Sequence, residues 1–286
     1  MRLLFAAMLV ATFCVAFFST PLQARPLVVA SIEPLSMLVR DVLGDDVEVR
    51  TLLLPGQNPH HASMTPGQAR LVRDADLLVW LGADAEPHVA RLVRRRDGDI
   101  LTLLDLDGVH TRPEQDSEHD HQGHRHHHSG LADPHLWLYP DNMRLLAAAL
   151  AGDQPAQAET FERQLAALEK RLAVQLAPVA ARRYLSHHDA WAYFAEAFSL
   201  QRPLVISPNL EASASSRRFV ELSRQVERLE IGCILAEPEG SRALLRRLCE
   251  DCRLVEADPL GRGLAGGGYL EFLEWLAGRF ATCLAD

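Results

Sequence analysis

The longest helical pattern in the chain lies at residues 155–176, which read PAQAETFERQLAALEKRLAVQL. Apolar side chains recur there at spacings of three and four residues, the period of one helix face. These residues are Phe161, Leu165, Leu168, Leu172 and Leu176. At 1.5 Å per residue, such a helix spans roughly 33 Å, about the width of a small domain. It suits a rod that joins two lobes, although an ordinary surface helix would show the same pattern.

Strand-like and helix-like runs alternate on both sides of this long helix. The runs that resemble buried strands lie at 27–31, 47–54, 77–81, 100–104, 204–207, 231–236 and 254–257. The runs with helical spacing lie at 35–43, 215–229, 241–249 and 269–281. Another helix is predicted to begin at Thr65-Pro66-Gly67-Gln68, which has the form of a capping box. Such alternation is typical of parallel sheets that are covered by helices on both faces.

We therefore predict an α/β protein with two lobes, each with a mostly parallel sheet flanked by helices. The N-terminal lobe would comprise residues 25–154 and the C-terminal lobe residues 178–286. The connecting helix would occupy residues 155–177.

Residues 1–24 have the features of a cleaved secretory signal peptide. Arg2 supplies a positive charge, the run from Leu3 to Phe18 has no charged residue, and Ala24 is a small residue at a plausible cleavage position. The apolar run is short for the ~20 residues that a membrane-spanning helix needs. We therefore expect export of a chain that begins at Arg25.

The charge of the chain disfavours nucleic acid as a partner. The formal net charge is −9, and loss of residues 1–24 removes only Arg2 among the charged residues, which makes it −10. An acidic protein is poorly matched to nucleic acid or to an anionic membrane surface. Acidity fits the capture of cations, and it fits simple solubility equally well.

Four of the five cysteines lie beyond the signal peptide, namely Cys233, Cys249, Cys252 and Cys283. Export to an oxidising compartment permits disulfides. Cys249 and Cys252 form a C-x-x-C pair with acidic neighbours, and no second pair completes a four-cysteine zinc site. A structural bridge or two idle thiols is therefore favoured over a redox or zinc role for this pair.

Seven of the 13 histidines lie in one polar segment, residues 110–130. They are His110, His119, His121, His124, His126, His127 and His128. The segment has almost no aliphatic residues, so we predict a flexible loop. Flexible ligands lose conformational entropy on binding, so the loop is expected to hold metal only with low affinity. An inert polar spacer is the alternative.

Three further candidate ligands lie close to the carboxyl ends of predicted strands. His60 follows the second strand, His188 follows an extended run and Asp258 follows the strand at 254–257. In open α/β sheets, ligands bind beyond the carboxyl ends of the strands. The strand context of His135 is less clear. Three imidazoles and a carboxylate would complete a tetrahedral shell for Zn²⁺.

Several short segments resemble the zinc-specific solute-binding proteins of bacterial ABC importers. They are Leu54-Pro55-Gly56-Gln57-Asn58-Pro59-His60 with Thr65-Pro66, Asp133-Pro134-His135-Leu136-Trp137-Leu138, His188-Asp189-Ala190-Trp191-Ala192-Tyr193-Phe194, Ala236-Glu237-Pro238 and Asp258-Pro259-Leu260-Gly261. Their order and spacing, the signal peptide and the histidine-rich insert together make the match specific. The resemblance covers essentially the whole chain after residue 24.

The resemblance implies that His60, His135 and His188 bind Zn²⁺, with Asp258 or a water molecule as the fourth ligand. The family motif favours His60 over its neighbour His61 and His188 over the preceding histidine. Manganese-binding relatives tend to have a glutamate at the third ligand position, so a histidine there favours zinc. Pro59 departs from members that carry a glutamate at that position.

The resemblance also implies the architecture, location and partner of the protein. Two α/β lobes joined by one long helix would capture zinc in the periplasm and deliver it to the permease subunit of an ABC importer. The protein would act as a monomer and would not be an enzyme. Zinc members tend to pair two cysteines in the second lobe, which implies a disulfide between Cys233 and Cys283.

Two other functions would use the same ligands. A secreted zinc hydrolase also needs three ligands and an open position, with Glu237 as a conceivable base, but the sequence has no H-E-x-x-H motif. A periplasmic zinc buffer or chaperone would bind the metal without an importer. Neighbouring permease and ATPase genes would distinguish it from a transport protein.

Overall fold

The computed structural model describes residues 24–60, 62–113, 133–206 and 216–285. Residues 1–23, His61 and the histidines from His119 to His128 therefore lie outside the described residues. Within the ranges given above, no helix combines the length and apolar character needed to cross a membrane.

The first half of the molecule is built on a parallel sheet whose strands follow the order β2-β1-β3-β4. These strands are β1 (Leu27–Ala30), β2 (Glu48–Thr51), β3 (Leu77–Trp80) and β4 (Asp99–Thr102). The helices between them are α1 (Glu33–Leu43), α2 (Pro66–Asp74) and α3 (Pro87–Val93). Helix α2 begins with the predicted capping box, in which the Thr65 and Gln68 side chains bind each other's backbone N–H groups.

The second half repeats the same strand order as β6-β5-β7-β8, again with parallel strands. Its strands are β5 (Leu185–Ser186), β6 (Leu204–Val205), β7 (Cys233–Ala236) and β8 (Arg253–Glu256). Its helices are α6 (Ala192–Ala197), α7 (Ser216–Arg228), α8 (Arg242–Leu248) and α9 (Tyr269–Leu284). The α/β class and the two parallel sheets predicted from the sequence are confirmed.

Two consecutive helices, α4 (Pro140–Ala151) and α5 (Pro155–Leu176), connect the two halves. The buried residues of α5 are the five apolar residues of the predicted face. Helix α5 packs against α4, α9 and α1, so it contacts elements from both halves.

One apolar core runs through both halves, and it includes Val79 of β3 and Leu235 of β7. Two smaller clusters lie apart from it, one around Val72 and Leu78 in the first half and one around Leu222 and Leu245 in the second. Because the main core is shared, separation of the halves would expose apolar surface to water at a cost in free energy.

Both cysteine pairs of the second half are bonded in the structure. Cys233 of β7 is joined to Cys283 of α9, 50 residues away. Cys249 is joined to Cys252 directly after α8. The C-x-x-C pair is therefore a local bridge in this structure, the first of the two alternatives that the sequence left open.

Candidate metal centre

Three histidines from distant parts of the chain meet between the two halves. His60 lies in the loop between β2 and α2, and His188 lies just beyond the carboxyl end of β5. His135 directly precedes a short 3-10 turn at 136–138 that leads into α4. His135 and His188 are buried, and His60 is half-buried.

The spacing of the three imidazoles is compatible with one metal ion. One ligand nitrogen from each ring lies within 4.8 Å of the others. The Nε2 atoms of His135 and His188 are 3.2 Å apart. Two nitrogens bound to a tetrahedral zinc at about 2.0–2.1 Å lie roughly 3.3 Å from each other. The two buried rings therefore already have a separation that a shared zinc ion requires.

Side-chain contacts shape the loop that carries His60. The backbone N–H of His60 donates to Asn58 Oδ1 at 2.8 Å. Gln57 Oε1 accepts from the Leu54 backbone at 2.9 Å and from Gln68 Nε2 at 2.8 Å. The polar residues of the Gln57-Asn58-Pro59-His60 motif thus tie the loop to the start of α2.

A carboxylate fixes the orientation of His135. Asp133 Oδ1 lies 2.7 Å from His135 Nδ1 and also accepts from the His135 backbone N–H at 3.0 Å. With Nδ1–H bound to the carboxylate, Nε2 is the ring atom that could bind a metal. Burial lowers the pKa of His135, but the carboxylates of Asp133, Glu237 and Asp189, with Asp133 the strongest of them, together raise it above the ordinary value.

His188 has the same kind of partner, supplied by another strand. Glu237, directly after β7, places Oε1 at 2.6 Å from His188 Nδ1 and accepts from the His188 backbone N–H at 3.2 Å. The side chain of Glu237 is fully buried. The Ser186 hydroxyl donates to the His188 carbonyl at 2.6 Å and fixes the turn after β5.

The cluster opens into a small pocket whose lining includes both apolar and charged residues. Pro59, Trp137 and Leu260 form part of its wall, and Glu239 and Arg262 add charged groups. The indole N–H of Trp137 donates to the Pro259 carbonyl at 2.7 Å. This bond joins the segment of His135 to the turn that follows β8.

Asp258 was predicted as a possible fourth ligand, but it is not brought into this cluster. Among the described residues, the group of side chains able to share a metal consists of His60, His135 and His188. Both carboxylate oxygens of Asp258 bind the guanidinium of Arg262 instead, at 2.9 and 3.1 Å. The physical reason is charge pairing, because a fixed cation four residues away satisfies the carboxylate in place of a metal.

Two other histidines, His187 and His110, do not join the cluster. His187 is buried, and a Cβ on Gly240 would come within 3.4 Å of its ring. His110, predicted as part of the flexible loop, has Nε2 at 3.0 Å from Glu196 Oε1, and its ring centroid is 4.5 Å from that of Tyr139. It is therefore packed in the folded part of the molecule, whereas the six other histidines of that prediction lie outside the described residues.

Sequence reasoning missed the roles of Asp133 and Glu237. Asp133 belongs to the Asp133-Pro134-His135 motif. Its position two residues before His135 is the only local signal for the contact between them. The contact of Glu237 with His188 joins residues 49 positions apart. Asp189, which follows His188 in the motif, pairs with Arg202 at 2.6 Å and does not cap α6, which begins at Ala192.

The sequence matches the family model described as "Zinc-uptake complex component A periplasmic" over residues 28–283. The high-affinity zinc uptake system protein ZnuA of Yersinia pestis is 27% identical over 292 residues, with 91% of this chain and 92% of that protein covered. The corresponding protein of Paracoccus denitrificans is 29% identical over 301 residues, with 91% and 92% covered.

Solved structures with the same fold include a crystal structure of ZnuA. It superposes with a TM-score of 0.75 at 20% identity, with 91% of this chain and all of that chain (100%) covered. The periplasmic zinc-binding protein TroA from Treponema pallidum gives a TM-score of 0.73 at 19% identity, with 92% and 100% covered. At these identities the likeness concerns the fold.

Proposed function

Because this chain belongs to the family of periplasmic zinc-uptake component A proteins, we propose that His60, His135 and His188 bind the Zn²⁺ ion that it carries. The protein captures zinc in the periplasm and hands it to the permease subunit of an ABC importer. Its metal is cargo, and the protein is a solute-binding protein rather than an enzyme. It acts as a monomer, after cleavage of residues 1–24.

The observation that carries this proposal is the convergence of three imidazoles whose two buried members are oriented by carboxylates. Asp133 and Glu237 bind the Nδ1 atoms of His135 and His188, so both Nε2 atoms face one point. Three neutral imidazoles form a site of borderline softness, which suits Zn²⁺ better than the oxygen-preferring Mn²⁺. A water molecule completes the shell, since Asp258 is bound to Arg262.

Competitive titration of the purified protein with zinc and manganese tests the metal assignment. We expect zinc to bind far more tightly than manganese, and equal affinities would refute the assignment. Zinc affinity should fall with decreasing pH because protons compete for the imidazoles. The raised pKa of His135 means that this loss begins above the ordinary histidine value of about 6.5.

The histidine-rich segment is proposed to act as a gathering device of low affinity. Its six histidines from His119 to His128 supply many ligands at close spacing in the chain. Deletion of residues 114–128 should lower the zinc stoichiometry in calorimetry and leave the tightest binding event nearly unchanged. Loss of the tight event would make the segment part of the main site. Unchanged stoichiometry would favour an inert spacer.

Growth experiments distinguish an importer component from a zinc buffer that acts alone. Cells that lack this protein should need more zinc, and the wild-type gene should rescue them where a variant with all three histidines replaced by alanine does not. The rescue should vanish in cells that also lack the permease. Rescue that persists without the permease would support the zinc buffer.

Cleavage of the signal peptide has its own test. If protein isolated from the periplasm retained residues 1–24, the proposed cleavage would be wrong.

The contacts of Glu237 support a solute-binding role rather than that of a hydrolase. A zinc hydrolase needs a base beside an attacking water, but Oε1 of Glu237 accepts hydrogen bonds from the ring and the backbone of His188. A carboxylate in that position orients a ligand. We expect zinc-loaded protein to hydrolyse neither ester nor peptide substrates, and turnover that depends on Glu237 would overturn this assignment.

A further inference from the structure

A single arginine, Arg262, binds two carboxylates beside the proposed zinc site. The guanidinium of Arg262 binds Asp258 through Nε at 2.9 Å and through a terminal nitrogen at 3.1 Å. Its other terminal nitrogen pairs with Glu239. Arg262 and Glu239 line the same pocket as the three histidines. One cation therefore binds both Asp258 and Glu239, and Glu239 borders the same pocket as the histidines.

The contacts of Asp258 leave it little capacity for a metal ion. Oδ1 accepts from the Leu260 backbone at 3.0 Å and from the guanidinium, and Oδ2 accepts from the backbone and the Nε of Arg262. Asp258 is buried. A bidentate pair between arginine and a carboxylate is both directional and strong, so a metal would have to displace it.

The turn that carries Arg262 is shaped for this contact. Gly261 has a φ of +60°, and a Cβ added there would come within 2.6 Å of the Phe272 ring. Its backbone N–H donates to the Asp258 carbonyl at 3.0 Å. The chain thus folds back on itself in four residues and returns Arg262 to the carboxylate. Although burial disfavours the charged form, Asp258 and Glu239 raise the pKa of Arg262, which stays cationic.

We propose that Arg262 is a specificity-determining residue that withholds Asp258 and Glu239 from the metal. With both carboxylates bound, the site offers three imidazoles and one position for water. A released carboxylate would add a hard oxygen ligand and a negative charge, which favours Mn²⁺ relative to the all-imidazole set. This inference rests on the proposed function, since it assumes that the three histidines bind zinc.

The test compares Arg262→Gln with the wild-type protein in two measurements. Competitive titration gives the ratio of manganese to zinc affinity, and the absorption spectrum of the Co²⁺-loaded protein reports the ligand set. We expect the ratio to rise by roughly tenfold or more, the scale on which groups beyond the direct ligands affect metal sites. The Co²⁺ spectrum should change with it. Both effects should be reversed in the variant that also carries Asp258→Asn and Glu239→Gln.

Arg242→Gln is the matched control, because Arg242 pairs with Glu256 on the exposed surface of the same half. It should leave the ratio and the spectrum unchanged. Arg262→Lys keeps the positive charge but loses the guanidinium group that binds a carboxylate through two nitrogens. It should therefore raise the ratio of manganese to zinc affinity by a smaller amount. It also serves as the test if Arg262→Gln does not fold, as judged by circular dichroism.

The outcomes separate this inference from the proposed function. A folded Arg262 variant with an unchanged ratio and spectrum would overturn the inference while zinc binding by the wild type stands. Asp258→Asn in the presence of Arg262 should leave zinc affinity nearly unchanged. A loss as large as that of His188→Ala would show that Asp258 binds the metal despite Arg262. Failure of the wild type to bind zinc at all would refute the proposed function instead.

Discussion

The two sheets of this protein have the same strand order but different chemistry at their carboxyl ends. Beyond the first sheet lie the half-buried His60, on a loop, and the buried Glu86, whose Oε2 accepts from the Leu81 backbone at 2.7 Å. Beyond the second sheet lie His188 and two carboxylates, each with a side-chain partner: Glu237 with His188 and Asp258 with Arg262.

Under the proposed function, this difference would give the two halves different roles in metal binding. The second half holds a buried imidazole in a fixed orientation by means of a fully buried carboxylate, Glu237. The first half contributes His60 from a loop that is tied to α2 through Gln57 and Gln68. Identical topology therefore does not imply identical roles, because side chains at the strand ends set the chemistry.

Replacement of the three histidines should produce the largest effects. His60→Ala, His135→Ala and His188→Ala should each weaken zinc binding by more than about 100-fold, beyond the 10- to 100-fold loss caused by outer partners of a metal site. His188→Ala should also lower the melting temperature, because it leaves the buried Glu237 without its ring partner. His60→Ala should affect the melting temperature less. Calorimetric titration and thermal unfolding measure the two effects.

His187→Ala is the matched control for His188→Ala, since both residues are buried in the same turn. It should leave zinc affinity nearly unchanged, and His61→Ala should do the same beside His60. A large loss in either control would shift the ligand assignment by one residue.

Loss of the disulfides should give the next largest effect. It concerns the second half, because all four cysteines after residue 24 lie there. Loss of the Cys233–Cys283 bridge, whose partners are 50 residues apart, should lower the free energy of unfolding by about 4 kcal/mol. Loss of the Cys249–Cys252 bridge, with partners 3 residues apart, should cost about 2 kcal/mol or less. Urea unfolding of the paired alanine variants measures both values, and equal losses would contradict this chain-entropy argument.

Glu86 provides a pH test of the first half. Burial raises its pKa from 4.5 to about 7, against the hydrogen bond from Leu81, so the folded state binds the proton more tightly than the unfolded state. The stability that this group contributes is therefore present below pH 4.5 and is lost as the pH rises through about 7. Glu86→Gln should remove a pH-dependent loss on the order of 3 kcal/mol.

Chemical denaturation of the wild type and of Glu86→Gln between pH 4.5 and 8 measures this difference. Asp84→Asn is the control, because Asp84 is exposed on the same loop and should retain the wild-type profile. Parallel profiles for Glu86→Gln and the wild type would mean that Glu86 titrates as an ordinary surface carboxylate.

The carboxylate partners should give the smallest of these effects. Asp133→Asn and Glu237→Gln keep size and a hydrogen-bond acceptor but remove the charge, so each should weaken zinc binding by 10- to 100-fold, about 1.4 to 2.7 kcal/mol. Glu239→Gln is the control, because Glu239 borders the pocket but pairs with Arg262. A loss confined to Glu237→Gln would show that only the second half depends on a charged partner.

Much of the fold was predictable because its signals are local. The capping box at Thr65 and the apolar face of residues 155–176 are patterns within one helix, and both appear in the structure. Strand β5 has only the two residues Leu185–Ser186, too few for a periodic signal, although the sequence suggested an extended run there. Helix α6 has only six residues, and its start at Ala192 has no side-chain cap to mark it.

By itself, the sequence determined the α/β class, the long helix and the three histidines with their family likeness. Only the tertiary structure decided the partners of those side chains: Asp133 for His135, Glu237 for His188, Arg262 for Asp258 and Glu196 for His110. Helix and strand periodicity is set by neighbours in the chain, so it can be read directly. The contact of His188 with Glu237 instead depends on which strands become neighbours, and β5 and β7 pair only when the sheet forms.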